Sequence, residues 1–421
     1  MENLLNRLHF FLLIALVCTM QFNIENVNIN GFIIILLSVN ALVRLIVVKN
    51  FKPLSNKLFA VFVLFYLVHL IGVLYSENKQ EAVLVIERKL SLIAFPVILF
   101  STPQLSMAQF RKVLLSFVVC NLIVGLVCLG VAIIKYSTSA DANELFYHVL
   151  SVNIGMHAAY LSLYFCFSLA ILLYVYYSDV GSFTVFQKIA YWFAVIFFTI
   201  IIIMLSSRTQ MLLMMMSITI YLIYRTHWNK SVFKLVSGSA LIVIILFGLI
   251  LLFPKTRERL KEAINYNNEY ALNKKWGEKQ MRYLIWASTI ELIKEKPIIG
   301  YGTGDVQDEL TRTYTKNEYV SLLYFSQTRF NAHNQFLETA VGLGAIGLLV
   351  FLLGIGLACK FAVRNKNHLY LIFIGFFVVS CITESMLERQ NGVVFFAFFN
   401  SFLLLHSIRK QDPIEHANTS L

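Results

Sequence analysis

The sequence predicts an all-α polytopic membrane protein of about twelve transmembrane helices with one large external loop that is itself helical. Three observations lead there. Hydrophobic residues make up 58% of the 421-residue chain and charged residues only 14%, which is not the balance of a water-soluble globule. Apolar runs of about 15 to 25 residues recur along the whole length, each about the reach of a helix through a ~30 Å hydrocarbon core. Lysine and arginine gather in alternate connections, the pattern that fixes orientation.

The runs are, in order, Leu8–Phe22, Gly31–Val48, Leu58–Tyr75, Leu90–Ser101, Val113–Ile134, Ala158–Tyr177, Ile189–Leu205, Met211–Tyr224, Leu235–Phe253, Phe336–Phe361, Leu369–Ser385 and Val393–Ser407. The fourth is short and carries Pro96, so it reads as kinked or re-entrant, with a count of eleven as the alternative. Arg7 followed by Leu8–Met20 has the look of a signal peptide, but no small-x-small cleavage site follows and it is read as a first span. The chain then divides into N-terminal spans (residues 1–253), a large loop (254–335), three C-terminal spans (336–407) and a short cytoplasmic tail (408–421).

Lys49, Lys52, Lys57, Arg111, Lys112, Arg225, Lys230, Lys360, Arg364 and Arg409 fall on one side if both termini are cytoplasmic, and the short connections of the other side carry fewer cations. The loop 254–335 is then external. All six cysteines lie within expected spans, so neither a disulfide framework nor a thiolate metal site is indicated. The net charge of +12 is spread over many short loops with no soluble aromatic module beside it, which argues against nucleic acid as a partner.

The external loop holds most of the polar chemistry. Lys255–Ala263 and Glu278–Lys296 have helical composition, separated by the turn-like run Asn265–Asn273. Arg282 and Trp286, four residues apart, share a helix face, which is read as lying on the membrane surface. Pro297 ends that helix, and Gly300, Gly302 and Gly304 follow. The glycines read as a tight turn in preference to a phosphate cradle, because no strand precedes them and no nucleotide-loop lysine follows. Asp305, Asp308 and Glu309 read as solvated carboxylates in preference to a metal cluster.

His333 stands directly before the tenth span, and imidazole is the side chain whose ordinary titration suits proton abstraction near neutrality; a cap or surface role is its bland alternative. Arg208 lies in the very short external link Ser206–Thr209, where an anion partner and simple snorkelling are both open. Arg88, His157 and Tyr160, one turn beyond it, stand at external helix ends as weaker candidates. Glu384 closes the eleventh span; it either orients His333 or pairs with Arg208, or makes a structural salt bridge to Arg389 or Arg44, the reading slightly favoured.

Ser207-Arg208 at a short turn, Arg282-x-x-x-Trp286, Pro297-x-x-Gly300-x-Gly302, and His333-Asn334-x-Phe336-Leu337-Glu338 leading into a glycine-rich span together resemble the O-antigen ligase and O-antigen polymerase superfamily of bacterial envelopes. The resemblance is specific from Arg282 to Gly347 and at Ser207-Arg208; elsewhere it rests on span number. It implies a fold like that of the GT-C glycosyltransferases and a site on the periplasmic face of the inner membrane. It implies glycan transfer from undecaprenyl diphosphate to an acceptor hydroxyl on lipid A-core, another glycan or a protein, with no nucleotide sugar, metal or cofactor. It further implies that Arg208 and Arg282 bind the diphosphate and that His333 is the base, with Trp286 and Asn334 beside them. A multi-pass small-solute transporter is the competing class, disfavoured because no paired halves with broken helices stand out.

Overall fold

The computed structural model describes residues 2–22, 29–48, 57–102, 105–152, 154–178, 183–205, 207–225, 248, 278–319, 322–323 and 330–409, and among them it is helical throughout, with no strand. The expected ninth span, the expected helix Lys255–Ala263 and the run Asn265–Asn273 lie outside the described residues. The chain divides into two compact units, Met1–Asn40 with Gln104–Asn265, and Ala41–Pro103 with Tyr266–Leu421. The division falls within a helix, α2 (Ile29–Val48).

The first unit contains α1 (Glu2–Thr19), α6 (Met107–Ser139), α7 (Tyr147–Val152), α8 (Ala158–Ser178), α9 (Val185–Met204) and α10 (Arg208–Arg225). Helix α8 is its central rod, with 94% of its apolar stretch buried against α6, α9 and α10. Side chains fix where two of the helices begin. Ser106 with Gln109 and Thr184 with Gln187 form reciprocal capping boxes that satisfy the first amides of α6 and α9.

The second unit contains α3 (Lys57–Tyr75), α4 (Lys79–Lys89), α5 (Ser91–Phe100), α11 (Glu278–Glu295), α12 (Val306–Lys316), α13 (Gln335–Arg364), α14 (His368–Thr383) and α15 (Gln390–Arg409). Helix α5 packs on α15 and α13 on α3, through rings such as Phe95 on Phe398 and Phe65 on Phe351. Six of the described helices are long and apolar enough to cross a membrane: Glu2–Thr19, Ile29–Val47, Met107–Ser139, Ala158–Tyr176, Val185–Met204 and Gln335–Arg364. The fourth expected span is a helix of only 10 residues. At 1.5 Å per residue it rises about 15 Å, half of a hydrocarbon core, so it does not cross by itself.

Helix α13 is not one uninterrupted rod. Gly344 has φ 63° and ψ −162°, a conformation open essentially to glycine alone. In an unbroken helix the Ala345 and Ile346 amides would bond the Val341 and Gly342 carbonyls. Here the loop after α11 takes all four groups. Ala345 donates to the Pro297 carbonyl (2.8 Å) and Ile346 to that of Ile298 (3.2 Å), while the Tyr301 amide donates to Val341 (2.9 Å) and the Gly302 amide to Gly342 (2.8 Å). Before the kink, residues 338–344 are buried in protein; after it, Ile346, Leu349, Leu352 and Leu353 are exposed, as a lipid-facing surface requires.

The loop has an apolar core of its own, in which Leu284, Ile285 and Leu292 of α11 meet Tyr301, Val306, Leu310, Tyr314 and Val341. Helix α12 is absent from the sequence reading, although Val306, Leu310, Thr313 and Tyr314 bury one face at helical spacing.

Candidate functional site

Pro297 closes α11 as expected, and Arg282 and Trp286 do share a face. On that face both side chains make contacts with the protein. The Trp286 indole N–H donates to the Ala332 carbonyl (3.0 Å), and its ring packs on the loop core. The Arg282 Nη2 donates to Glu384 Oε1 at 3.3 Å. Both polar heads thus find partners inside the fold.

Three residues of the segment Asn331–Gln335 contact the stretch from the end of α14 to Leu387. Asn334 accepts from the Phe336 and Leu337 amides, capping α13, and donates to the Ile382 carbonyl (3.1 Å). The Gln335 side-chain Oε1 accepts from the Leu387 amide (2.6 Å). Between these links the His333 Nδ1 lies 3.3 Å from Glu384 Oε2. Glu384 therefore has Arg282 on one oxygen and His333 on the other. The His333 side chain is 24% exposed.

His333 has φ 46°, a left-handed backbone that a non-glycine residue holds only under constraint. The constraint is local. Its own amide donates to Asn331 Oδ1 (3.0 Å), and Ala332 is held at its carbonyl by Trp286 and at its amide by Glu338 Oε2 (2.6 Å). Glu338 enters the sequence reading only as the last residue of the His333-Asn334-x-Phe336-Leu337-Glu338 motif, and Gln335 and Ser385 do not enter it; an ionisable residue early in an apolar helix is the signal that marks Glu338.

Of the weaker candidates, Arg88 is engaged on three sides, by Glu81 (2.6 Å) and by the carbonyls of Glu388 (3.1 Å) and Leu84 (3.2 Å), which makes it a clamp between α4 and the turn after α14. Arg208, His157 and Tyr160 belong to the first unit. His157 Nδ1 accepts from the Ala159 amide (3.3 Å) at the start of α8, with its ring 4.1 Å from that of His148. Tyr160 is 1% exposed, within the core of its unit. Arg208 opens α10, where a cation adds to the positive end of the helix dipole; the pairing of guanidinium and helix N-terminus is one that draws anions.

The glycine turn is committed to packing. Gly300 and Gly302 have φ 71° and 117°, and a Cβ on either would come within 2.4 Å of Val341 O or Ser76 Oγ. The amides of Tyr301, Gly302 and Gly304 all bond protein groups, which leaves them unavailable to a phosphate. Asp305 spends both oxygens on the Glu77 and Asn78 amides (2.8 and 2.7 Å), and Asp308 accepts from the Asn78 side chain (2.7 Å), so these acids lock the start of α4. Burial pushes the Glu309 carboxyl above its usual range against the pull of Arg312. Burial likewise raises Tyr301, with Glu295 adding to it.

No curated protein matches the chain closely enough to count as a relative. Residues 193–352 match the family model described as O-antigen ligase, a segment that contains Arg208, Arg282, Trp286, His333 and Asn334. Over those residues, less than half of its length, the chain is similar to the O-antigen ligase family.

Proposed function

We propose that the chain moves a glycan from undecaprenyl diphosphate to an acceptor hydroxyl on the periplasmic face of the inner membrane, acting as an O-antigen ligase with lipid A-core as acceptor. The observation that carries the reading is the contact of His333 with Glu384 on a ring still open to solvent. Glu384 accepts from Nδ1–H, which leaves Nε2 as the proton acceptor. The acceptor hydroxyl gives its proton to Nε2 as its oxygen bonds the anomeric carbon, and the bond from that carbon to the diphosphate breaks with its electron pair leaving on phosphate. A single displacement of this kind inverts the anomeric centre.

The departing charge is met by arginine. Arg282 uses Nη2 on Glu384, and among the described residues its remaining guanidinium nitrogens make no hydrogen bond, so they suit charge-assisted contacts to phosphate. Arg208, which opens α10 of the first unit, is the other diphosphate-binding residue that the resemblance implies. Twelve spans with both termini inside and an external loop complete it. No nucleotide sugar or metal takes part.

The test is transfer by the purified protein in liposomes that contain an undecaprenyl-diphosphate-linked glycan. His333→Ala is expected to lose transfer while still binding the donor, and wild-type turnover would refute the base. Product analysis separates a ligase from a polymerase or a protein-glycosylating enzyme, and solute uptake without transfer would favour a transporter.

A further inference from the structure

Glu338 lies just beyond His333 in the chain, and its carboxylate is buried behind the His333–Glu384 pair. Its Oε2 accepts from the Ala332 amide (2.6 Å) and the Ser385 hydroxyl (3.3 Å). Ala332 precedes His333 and Ser385 follows Glu384, so one oxygen ties together the two stretches of backbone that carry the ring and its partner. The tie matters because His333 holds a left-handed backbone, which costs a non-glycine residue roughly 1–2 kcal/mol and persists only where its neighbours enforce it.

Filling space would call for leucine at this depth, since an ionised carboxylate loses hydration there. The other side of Glu338 is polar as well. It lines a cavity of about 30 Å³ with Lys89, Glu388 and His69, polar and roomy enough for water. Lys89 is itself anchored on the Leu387 carbonyl (2.9 Å) and Glu388 (2.5 Å). The turn that follows Glu384 is thereby held from behind while Glu338 holds it from within.

We infer that Glu338 is a positioning residue of the transfer reaction, fixing the Ala332 amide and the Ser385 hydroxyl so that His333 Nδ1 meets Glu384 and Nε2 faces the acceptor. The inference rests on the base reading above. Full-length Glu338→Leu, Glu338→Gln and His333→Ala are compared by transfer kinetics and by hydrogen exchange across residues 330–336. Glu338→Leu is expected to lower kcat about 100-fold, the scale of an ångström of misplacement, with donor KM within about threefold and faster exchange at Ala332. Glu338→Gln retains a carbonyl oxygen for the same amide and is expected to recover kcat to within about tenfold.

A Glu338→Leu protein with kcat within threefold of wild type, unchanged exchange, or a Glu338→Gln protein as slow as Glu338→Leu each overturns the assignment. If Glu338→Leu does not fold, Ser385→Ala removes one of the two ties and is expected to lower kcat several-fold at unchanged donor KM; wild-type kinetics there also overturns it. His333→Ala separates the failures. Full turnover in that variant defeats the base reading, whereas a dead His333→Ala beside a wild-type-like Glu338→Leu defeats the positioning role alone.

Discussion

Glu384→Gln preserves the shape of the side chain and removes its charge. In the proposed transition state the His333 ring becomes a cation, with Glu384 Oε2 3.3 Å from Nδ1. At that distance and an effective dielectric of about 20, the attraction is roughly 5 kcal/mol. Arg282 draws on the same carboxylate at 3.3 Å, which reduces what is left for His333 to roughly 2–4 kcal/mol. The corresponding fall in kcat is about 30- to 1000-fold. A glutamine also presents an N–H where Glu384 offers only acceptors, and in that rotamer it favours the tautomer with the proton on Nε2, which cannot act as base. The assay is initial-rate transfer from a lipid-linked donor at saturating acceptor. Donor KM is expected to change little, because the ring acts on the acceptor. A kcat within threefold of wild type would show that the His333–Glu384 contact has no catalytic use.

Arg282→Lys and Arg208→Lys each keep the charge and lose the planar fork, so kcat/KM for the donor is expected to fall about 10- to 100-fold; unchanged donor use in both, measured by the same assay, removes them from the diphosphate site. Gly344→Ala forces a side chain into a glycine-only conformation and brings its Cβ within 2.2 Å of the Ile298 carbonyl. Shifting that carbonyl loses the bond from Ile346, so the expected cost is about 2–4 kcal/mol, read as a lowered thermal midpoint in detergent. A midpoint equal to wild type would mean that the kink is not required.

The parts of the site that were legible in the sequence are those that composition makes conspicuous. Arg282, Trp286 and His333 stand out because polar groups are rare in an apolar chain, and Pro297 ends its helix by ring geometry alone. What stayed hidden depends on contacts with no sequence period. Glu384 is 51 residues from His333 and 102 from Arg282, and nothing local distinguishes an orienting carboxylate from one in a structural bridge. The inward turn of Trp286 is decided by the Ala332 carbonyl, a group every residue possesses. Helix α12 is a different case: its spacing was present, but the acids at its start drew the eye to loop chemistry, and they turn out to hold α4 in place.

The four-bond exchange between the loop and α13 bears on how the protein is made. Lipid offers no donor or acceptor to a broken helix, and each unmatched backbone group there costs several kcal/mol. The partners for the Gly344 break reside in Pro297–Gly302, which leave the ribosome more than thirty residues earlier. Insertion of this span is therefore not complete when its hydrophobic stretch has entered the bilayer. It is completed when a loop synthesised before it docks against it, bringing Pro297–Gly302 to the Gly344 break.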